Sequence, residues 1–129
     1  MRTIFFVEDD ANIVAVYRES LVREGFEVKV AEDGVAAMRL LQQGKPDLVI
    51  LDLMMPKFNG ADVLRHIRTD PALKQTKVII FSNAYETSIV LEAEKSGADA
   101  FLLKLNCTPE KLVNVVKTLL HDDTVGGDK

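Results

Sequence analysis

The chain is punctuated by short apolar runs, IFFV at 4–7, LVIL at 48–51, VIIF at 78–81 and AFLL at 100–103, and each run is followed by a polar or charged residue. The solid runs IFFV, LVIL and VIIF mark strands covered on both faces, and AFLL makes a fifth strand. The segment 27–31, EVKVA, instead alternates polar with apolar, as an edge strand does. Between the runs the apolar spacing becomes helical. A helix over 10–24, capped by Asp10 or Asn12, carries Ile13, Val16, Tyr17 and Leu21 on one face; Gly25 suits the left-handed position after it, and Phe26 closes the end. A second helix over 34–43, capped by Asp33, turns Ala36, Ala37, Leu40 and Leu41 inward and stops at Gly44 with Pro46 beyond. A third over 61–68 buries Leu64 and Ile67, and the polar stretch TDPALKQT leads from it to a strand over 77–81. The helix over 88–96 has the thinnest apolar face, Ile89, Val90 and Ala93 among acids, and is expected to be the most easily displaced. Thr108, Pro109 and Glu110 give the last helix a cap, an N1 proline and a first-turn acid, with Leu112, Val115, Val116 and Leu119 as its stripe. Five strands alternating with five helices predict an α/β domain: one parallel sheet with right-handed crossovers and helices on both faces.

Composition narrows the function. With 129 residues, 47% hydrophobic and 28% charged, the chain has material for one domain with a proper core. A net charge of −4 offers no basic stripe, so protein partners are expected in place of nucleic acid. The lone Cys107 has no companion for a disulfide or a metal site, which fits a reducing cytoplasm, and the four apolar residues near the N-terminus are too few for a membrane span. The glycine-bearing segment 122–129 reads as a flexible tail or the start of a linker after a domain over 1–121.

In parallel α/β sheets ligands bind outside the carboxyl ends of the strands, which is where the polar residues appear. Glu8, Asp9 and Asp10 follow the first strand, Asp52 ends the third, Ser82 and Asn83 follow the fourth, and Lys104 follows the fifth. Taken singly, the acids fit first-turn positions, Lys104 a solvated strand end and Ser82 a turn. Taken together they place an excess of carboxylate opposite a single lysine, a repulsive set unless a cation joins it. Asp9, Asp52 and a nearby loop carbonyl form the all-oxygen set that magnesium accepts. Asp52 is then a carboxylate nucleophile suited to an aspartyl phosphate, with Lys104 neutralising phosphoryl oxygens.

Glu8-Asp9, Asp52 with Met55-Pro56 and Gly60, Ser82, Phe101 and Lys104, in this order and spacing, resemble the receiver domain of bacterial two-component response regulators, over about residues 2–121. The resemblance implies a single doubly wound (βα)5, flavodoxin-like domain with strand order 2-1-3-4-5. It implies Mg2+ held by Asp9, Asp52 and the backbone carbonyl of Met54, with Glu8 acting through a water. Asp52 would accept a phosphoryl group from a sensor histidine kinase or a histidine phosphotransfer protein. Ser82 would bond that group, and Phe101 would turn inward on activation, altering the surface made by the 88–96 helix, the last strand and the last helix for a downstream target. Such a domain assists only its own phosphorylation and dephosphorylation, and is a monomer or a phosphorylation-dependent dimer. New charge-assisted bonds from Lys104 and Ser82 would total roughly 3 to 6 kcal/mol. Reversing a 1:99 equilibrium needs about 5.5 kcal/mol, so two bonds nearly suffice if they form only in the active state.

Three residues depart from the family pattern. Leu105 stands where proline joined by a cis bond is usual, and a non-proline cis bond costs about 3 kcal/mol, which favours a trans bond and a different aim for Lys104. Asn83 replaces a small residue, either crowding the phosphoryl group or donating to it. Phe101 lacks the hydroxyl of the frequent tyrosine. These departures leave an alternative, a receiver-like interaction module that no longer uses phosphate. A flavodoxin-like cofactor binder or phosphohydrolase fits less well, because three acids replace the hydroxyl- and glycine-rich loop and Asp52-Leu53-Met54 lacks a second aspartate.

Overall fold

A computed structural model describes residues 1–55, 58–83, 91 and 94–121. Its strands are β1 (Thr3–Val7), β2 (Glu27–Ala31), β3 (Leu48–Leu51), the two-residue β4 (Met54–Met55) and β5 (Phe58–Asn59), β6 (Lys77–Ser82) and β7 (Ala100–Leu103). The helices are α1 (Ala11–Arg23), α2 (Gly34–Gln43), α3 (Gly60–Thr69) and α4 (Pro109–Leu120). Five strands form one parallel sheet of order β2-β1-β3-β6-β7, the order 2-1-3-4-5 once the small β4-β5 hairpin is set aside.

Alternation along the central strands divides the core in two. Phe5, Val7, Val49, Leu51, Val78 and Ile80 face the layer of α2 and α3, meeting Ala37, Leu41, Val63, Leu64 and Ile67. Ile4, Phe6, Leu48, Ile50, Ile79 and Phe81 face the layer of α1 and α4, meeting Leu21, Leu112, Val113, Val116 and Leu120. This double coverage is why those strands read as unbroken apolar runs. On the edge strand β2, Val28 and Ala31 are buried, while Glu27, Lys29 and Val30 are exposed.

The predicted caps are formed. Asp10 Oδ1 accepts from the amides of Asn12 and Ile13, Asp33 Oδ1 from Ala36, and Thr108 Oγ1 from Lys111. Gly25 takes φ +97°, the left-handed conformation that glycine adopts without steric cost. Four details differ from the sequence expectation. Val16 is exposed, because α1 packs through Leu21 with Ile13 and Tyr17 partly covered. The buried stripe of α4 is Leu112, Val113, Val116 and Leu120, with Val115 and Leu119 only partly covered. Leu73, inside the stretch taken as a polar connection, is 2% exposed and joins the core beneath α3. Ser82 is the last residue of β6 and not part of the turn after it. Pro56, most of the 88–96 helix and the 122–129 tail lie outside the described residues, although Leu91, Glu94 and Lys95 are helical.

At the amino ends of β6 and β7 the Arg68 guanidinium ties three segments together. It donates to the carbonyls of Gly97 (2.9 Å), Lys74 (3.2 Å) and Thr76 (2.6 Å) and to Asp99 Oδ2 (2.8 Å). The same Asp99 oxygen accepts from the Val78 amide at 2.8 Å.

Candidate functional site

The opposite, carboxyl end of the sheet gathers the predicted chemistry. The Glu8 amide continues the ladder to the Ala31 carbonyl, and the Asp52 amide bonds the Val7 carbonyl, so the residues leaving β1 and β3 stand side by side. Their side chains are buried, whereas Asp9 is exposed. Carboxylate oxygens of Glu8, Asp9 and Asp52 all lie within 4.8 Å of one another.

Asp52 is held at both oxygens. Oδ1 accepts from Ser82 Oγ at 2.8 Å and from the Met54 amide at 3.1 Å, and Oδ2 accepts from Lys104 Nζ at 2.9 Å. Lys104 Nζ also lies 2.6 Å from Glu8 Oε1 and 5.8 Å from the centre of the Phe81 ring. The Glu8–Lys104 contact is a buried ion pair, so the Lys104 ammonium serves Glu8 Oε1 and Asp52 Oδ2 at once. Glu8 Oε2 accepts from the Asp10 amide at 3.0 Å. Burial raises the Glu8 pKa above the ordinary carboxylate range, against the opposing pull of Lys104. Burial works against the charge on Lys104, but the Glu8 and Asp52 carboxylates outweigh it and hold its pKa above the usual lysine value.

The loop beneath the acceptor depends on Gly60. A Cβ there would sit 2.3 Å from the Asp52 carbonyl oxygen and 2.7 Å from Leu53 Cα, a backbone collision that no rotamer relieves. The Gly60 amide instead bonds the Leu53 carbonyl, closing the β4-β5 hairpin onto the start of α3.

The structure therefore brings Glu8, Asp9, Asp52, Ser82 and Lys104 together. Met54 enters through its amide, bonded to Asp52, and its side chain is about half exposed. Phe101 lies on the edge strand β7, partly buried against the α2/α3 core. The expected redirection of Lys104 does not occur. No described peptide bond is cis, and Lys104, at the start of a short 3-10 turn (Lys104–Asn106), still reaches Asp52. Asn83 Oδ1 accepts from the Leu105 amide at 3.2 Å. Sequence reasoning missed this bond, and also the one from Tyr17 Oη to the Cys107 carbonyl at 2.7 Å. For Tyr17 a signal existed: a tyrosine on an inward helix face needs a partner for its hydroxyl.

Comparison with known proteins says what class of chain carries this pocket. A family model described as the response regulator receiver domain matches residues 4–117, and the chain belongs to that family. The DNA-binding response regulator MtrA of Mycolicibacterium paratuberculosis is 35% identical over 118 residues, which cover 92% of this chain and 51% of MtrA. The chain thus spans about half the length of that relative. Among solved structures, the signal receiver domain of a signal transduction histidine kinase from Syntrophus aciditrophicus superposes with a TM-score of 0.86 at 28% identity, covering 95% of this chain and 92% of that one. The Mn(2+)-bound form of the response regulator Rcp1 gives 0.83 at 25%, covering 95% and 96%. The chain is a receiver domain of the two-component type, whose family function is to accept a phosphoryl group. Among the described residues no helix is long and apolar enough to cross a membrane.

Proposed function

We propose that Asp52 is the phosphoacceptor of this receiver and that the phosphoryl group comes from a sensor histidine kinase or a histidine phosphotransfer protein. The observation that carries the assignment is the double grip on Asp52, with Ser82 on one oxygen and Lys104 on the other, at the floor of an acidic pocket. Transfer forms a bond between an Asp52 carboxylate oxygen and phosphorus and breaks the phosphorus–nitrogen bond of phosphohistidine. The electron pair of that bond stays on the imidazole nitrogen, which takes up a proton. Ser82 and Lys104 then donate to phosphoryl oxygens in place of the carboxylate oxygens they now hold.

The pocket fits a divalent cation. Three carboxylates gather where, among the described residues, Lys104 is the ammonium that pairs with them, and all the candidate ligand atoms are oxygens. Asp9, Asp52 and the Met54 carbonyl would hold Mg2+, with Glu8 acting through a water. When bound, the ion offsets the carboxylate charge and draws electron density from the phosphoryl oxygens. We take the domain to catalyse nothing beyond its own phosphorylation and dephosphorylation, and to work in the cytoplasm as a monomer or a phosphorylation-dependent dimer.

The output surface proposed is the 88–96 segment with β7 and α4, Phe101 included, presented to a target protein. The energetics need one revision. Lys104 and Ser82 already bond the unmodified Asp52, so the roughly 3 to 6 kcal/mol of charge-assisted bonding is exchanged and not newly gained. The switch must draw on the difference between the two sets of bonds. Lys104 reaching Asp52 through a trans loop favours this phosphate-dependent reading over the phosphate-independent module.

The test is intact mass after incubation with acetyl phosphate, with and without magnesium, in the wild type and in Asp52→Asn. A magnesium-dependent gain of one phosphoryl group that is absent from the variant is expected. A gain that survives the substitution would sink the assignment.

A further inference from the structure

The two groups that grip Asp52 sit on different strands, Ser82 at the end of β6 and Lys104 just past β7. Each has a neighbour in sequence, Asn83 and Leu105, and those neighbours bond each other, Asn83 Oδ1 accepting from the Leu105 amide at 3.2 Å. The contacts therefore close a ring: Asp52 to Ser82, along the chain to Asn83, across to Leu105, along the chain to Lys104, and back to Asp52. Beyond the ring, the turn that carries Lys104 is fastened twice more. The Cys107 amide bonds the Lys104 carbonyl at 3.3 Å, and Tyr17 Oη bonds the Cys107 carbonyl at 2.7 Å.

We infer that Asn83 is a positioning residue that couples Ser82 to Lys104, so that the two phosphoryl-binding groups are placed as one unit and not independently. The inference rests on the reading of Asp52 as phosphoacceptor. Two properties of position 83 suit it to the task. Its amide oxygen is an acceptor at the reach needed to meet a main-chain N–H across the gap between β6 and the loop after β7. The residue itself is exposed, so its bond to Leu105 is not required for burying core. The Leu105 side chain is 71% exposed and makes no claim on the interior, which leaves its amide as the group through which the loop is held. A side chain of alanine at position 83 would remove the acceptor and open the ring while leaving Ser82, Lys104 and the acids intact.

Three measurements test the coupling. In metal-free protein, hydrogen exchange at the Leu105 amide should quicken about two- to tenfold in Asn83→Ala, the range of one net hydrogen bond, and Asn83→Asp, which keeps an acceptor oxygen, should restore the protection. The rate of phosphoryl uptake from acetyl phosphate in magnesium should fall in Asn83→Ala by a similar factor at unchanged thermal midpoint. In a Lys104→Ala background the same substitution should cost nothing further, because the effect of Asn83 passes through Lys104. Unchanged exchange at Leu105, or effects of Asn83→Ala and Lys104→Ala that multiply independently, would overturn the coupling. Failure of the wild type itself to take up a phosphoryl group would instead count against Asp52 as acceptor, while the exchange result would still stand for or against the ring.

Discussion

Two charged clusters lie at opposite ends of the same sheet and are built on opposite plans. Around Arg68, one guanidinium meets one carboxylate, and three more of its N–H groups go to main-chain carbonyls, while Asp99 also receives the Val78 amide. Charge is matched one to one there, and the result fastens α3 to the starts of β6 and β7. Around Asp52, among the described residues, the buried carboxylates of Glu8 and Asp52 share the Lys104 ammonium, and the exposed Asp9 adds a third negative charge beside them. A satisfied cluster ties chain to chain, whereas an unbalanced one keeps capacity for something that is not yet part of the protein.

If that contrast is right, substitutions at the two ends should separate chemistry from stability. The largest effect is expected for Lys104→Ala, which removes the ammonium that pairs with Asp52 and Glu8. Initial rates of mass gain with acetyl phosphate should drop about 10²–10³-fold, the usual consequence of losing one preorganised donor. Urea melts in magnesium, where a bound cation takes over part of the carboxylate charge, should move by less than the roughly 3 to 5 kcal/mol that breaking a buried pair costs. Arg68→Ala should do the reverse. Losing the ion pair and leaving carbonyls unpaired at a largely covered position costs about 2 to 3 kcal/mol of unfolding free energy in urea, with phosphoryl uptake unchanged. A slowed uptake in Arg68→Ala would show that the two ends are not separable.

The smallest effect concerns Glu8. Burial raises its pKa, so the folded chain holds that proton to higher pH than the unfolded chain does. The stability this contributes is complete below the ordinary value of 4.5 and is lost as pH rises through the raised, folded-state value. Glu8→Gln cannot ionise and is expected to keep it. In magnesium-free buffer the thermal melts of variant and wild type should diverge as pH rises above 4.5 through the raised value, with the variant the more stable at the upper end. Parallel curves across that window would mean that Lys104 already neutralises Glu8 in full.

Most of the fold could be read because double burial leaves a simple trace. Solid apolar runs became the inner strands β1, β3 and β6, the run AFLL became the far-edge strand β7, in which only Leu102 is buried, the alternating EVKVA became the edge strand β2, and Asp10, Asp33 and Thr108 cap their helices. The acids, Ser82 and Lys104 were legible because topology sends the carboxyl ends of parallel strands to one place. What stayed hidden was set by partners distant in the chain. Arg68 reads as a helix-terminal cation, and nothing local reveals that its bonds run to Gly97 and Asp99. Asn83 reads as a neighbour of the phosphoryl group, since an amide side chain gives no sign of which main-chain group it will meet 22 residues later. Val16 is exposed and Val115 and Leu119 are only partly covered for a milder reason, because a helical stripe fixes which residues share a face but not how far that face is rolled onto its neighbours.

The contact beneath Asp52 bears on how the chain can change over generations. Every residue other than glycine begins with a Cβ, and at position 60 that atom would strike the Asp52 carbonyl oxygen and Leu53 Cα, which belong to the backbone and cannot swing aside. Position 60 is therefore closed to drift whatever output the domain serves. A descendant that gave up phosphate would be free to lose Asp9 or Lys104 yet obliged to keep Gly60, so among the residues that mark this pocket the glycine is inherited with the architecture and the charged ones with the trade.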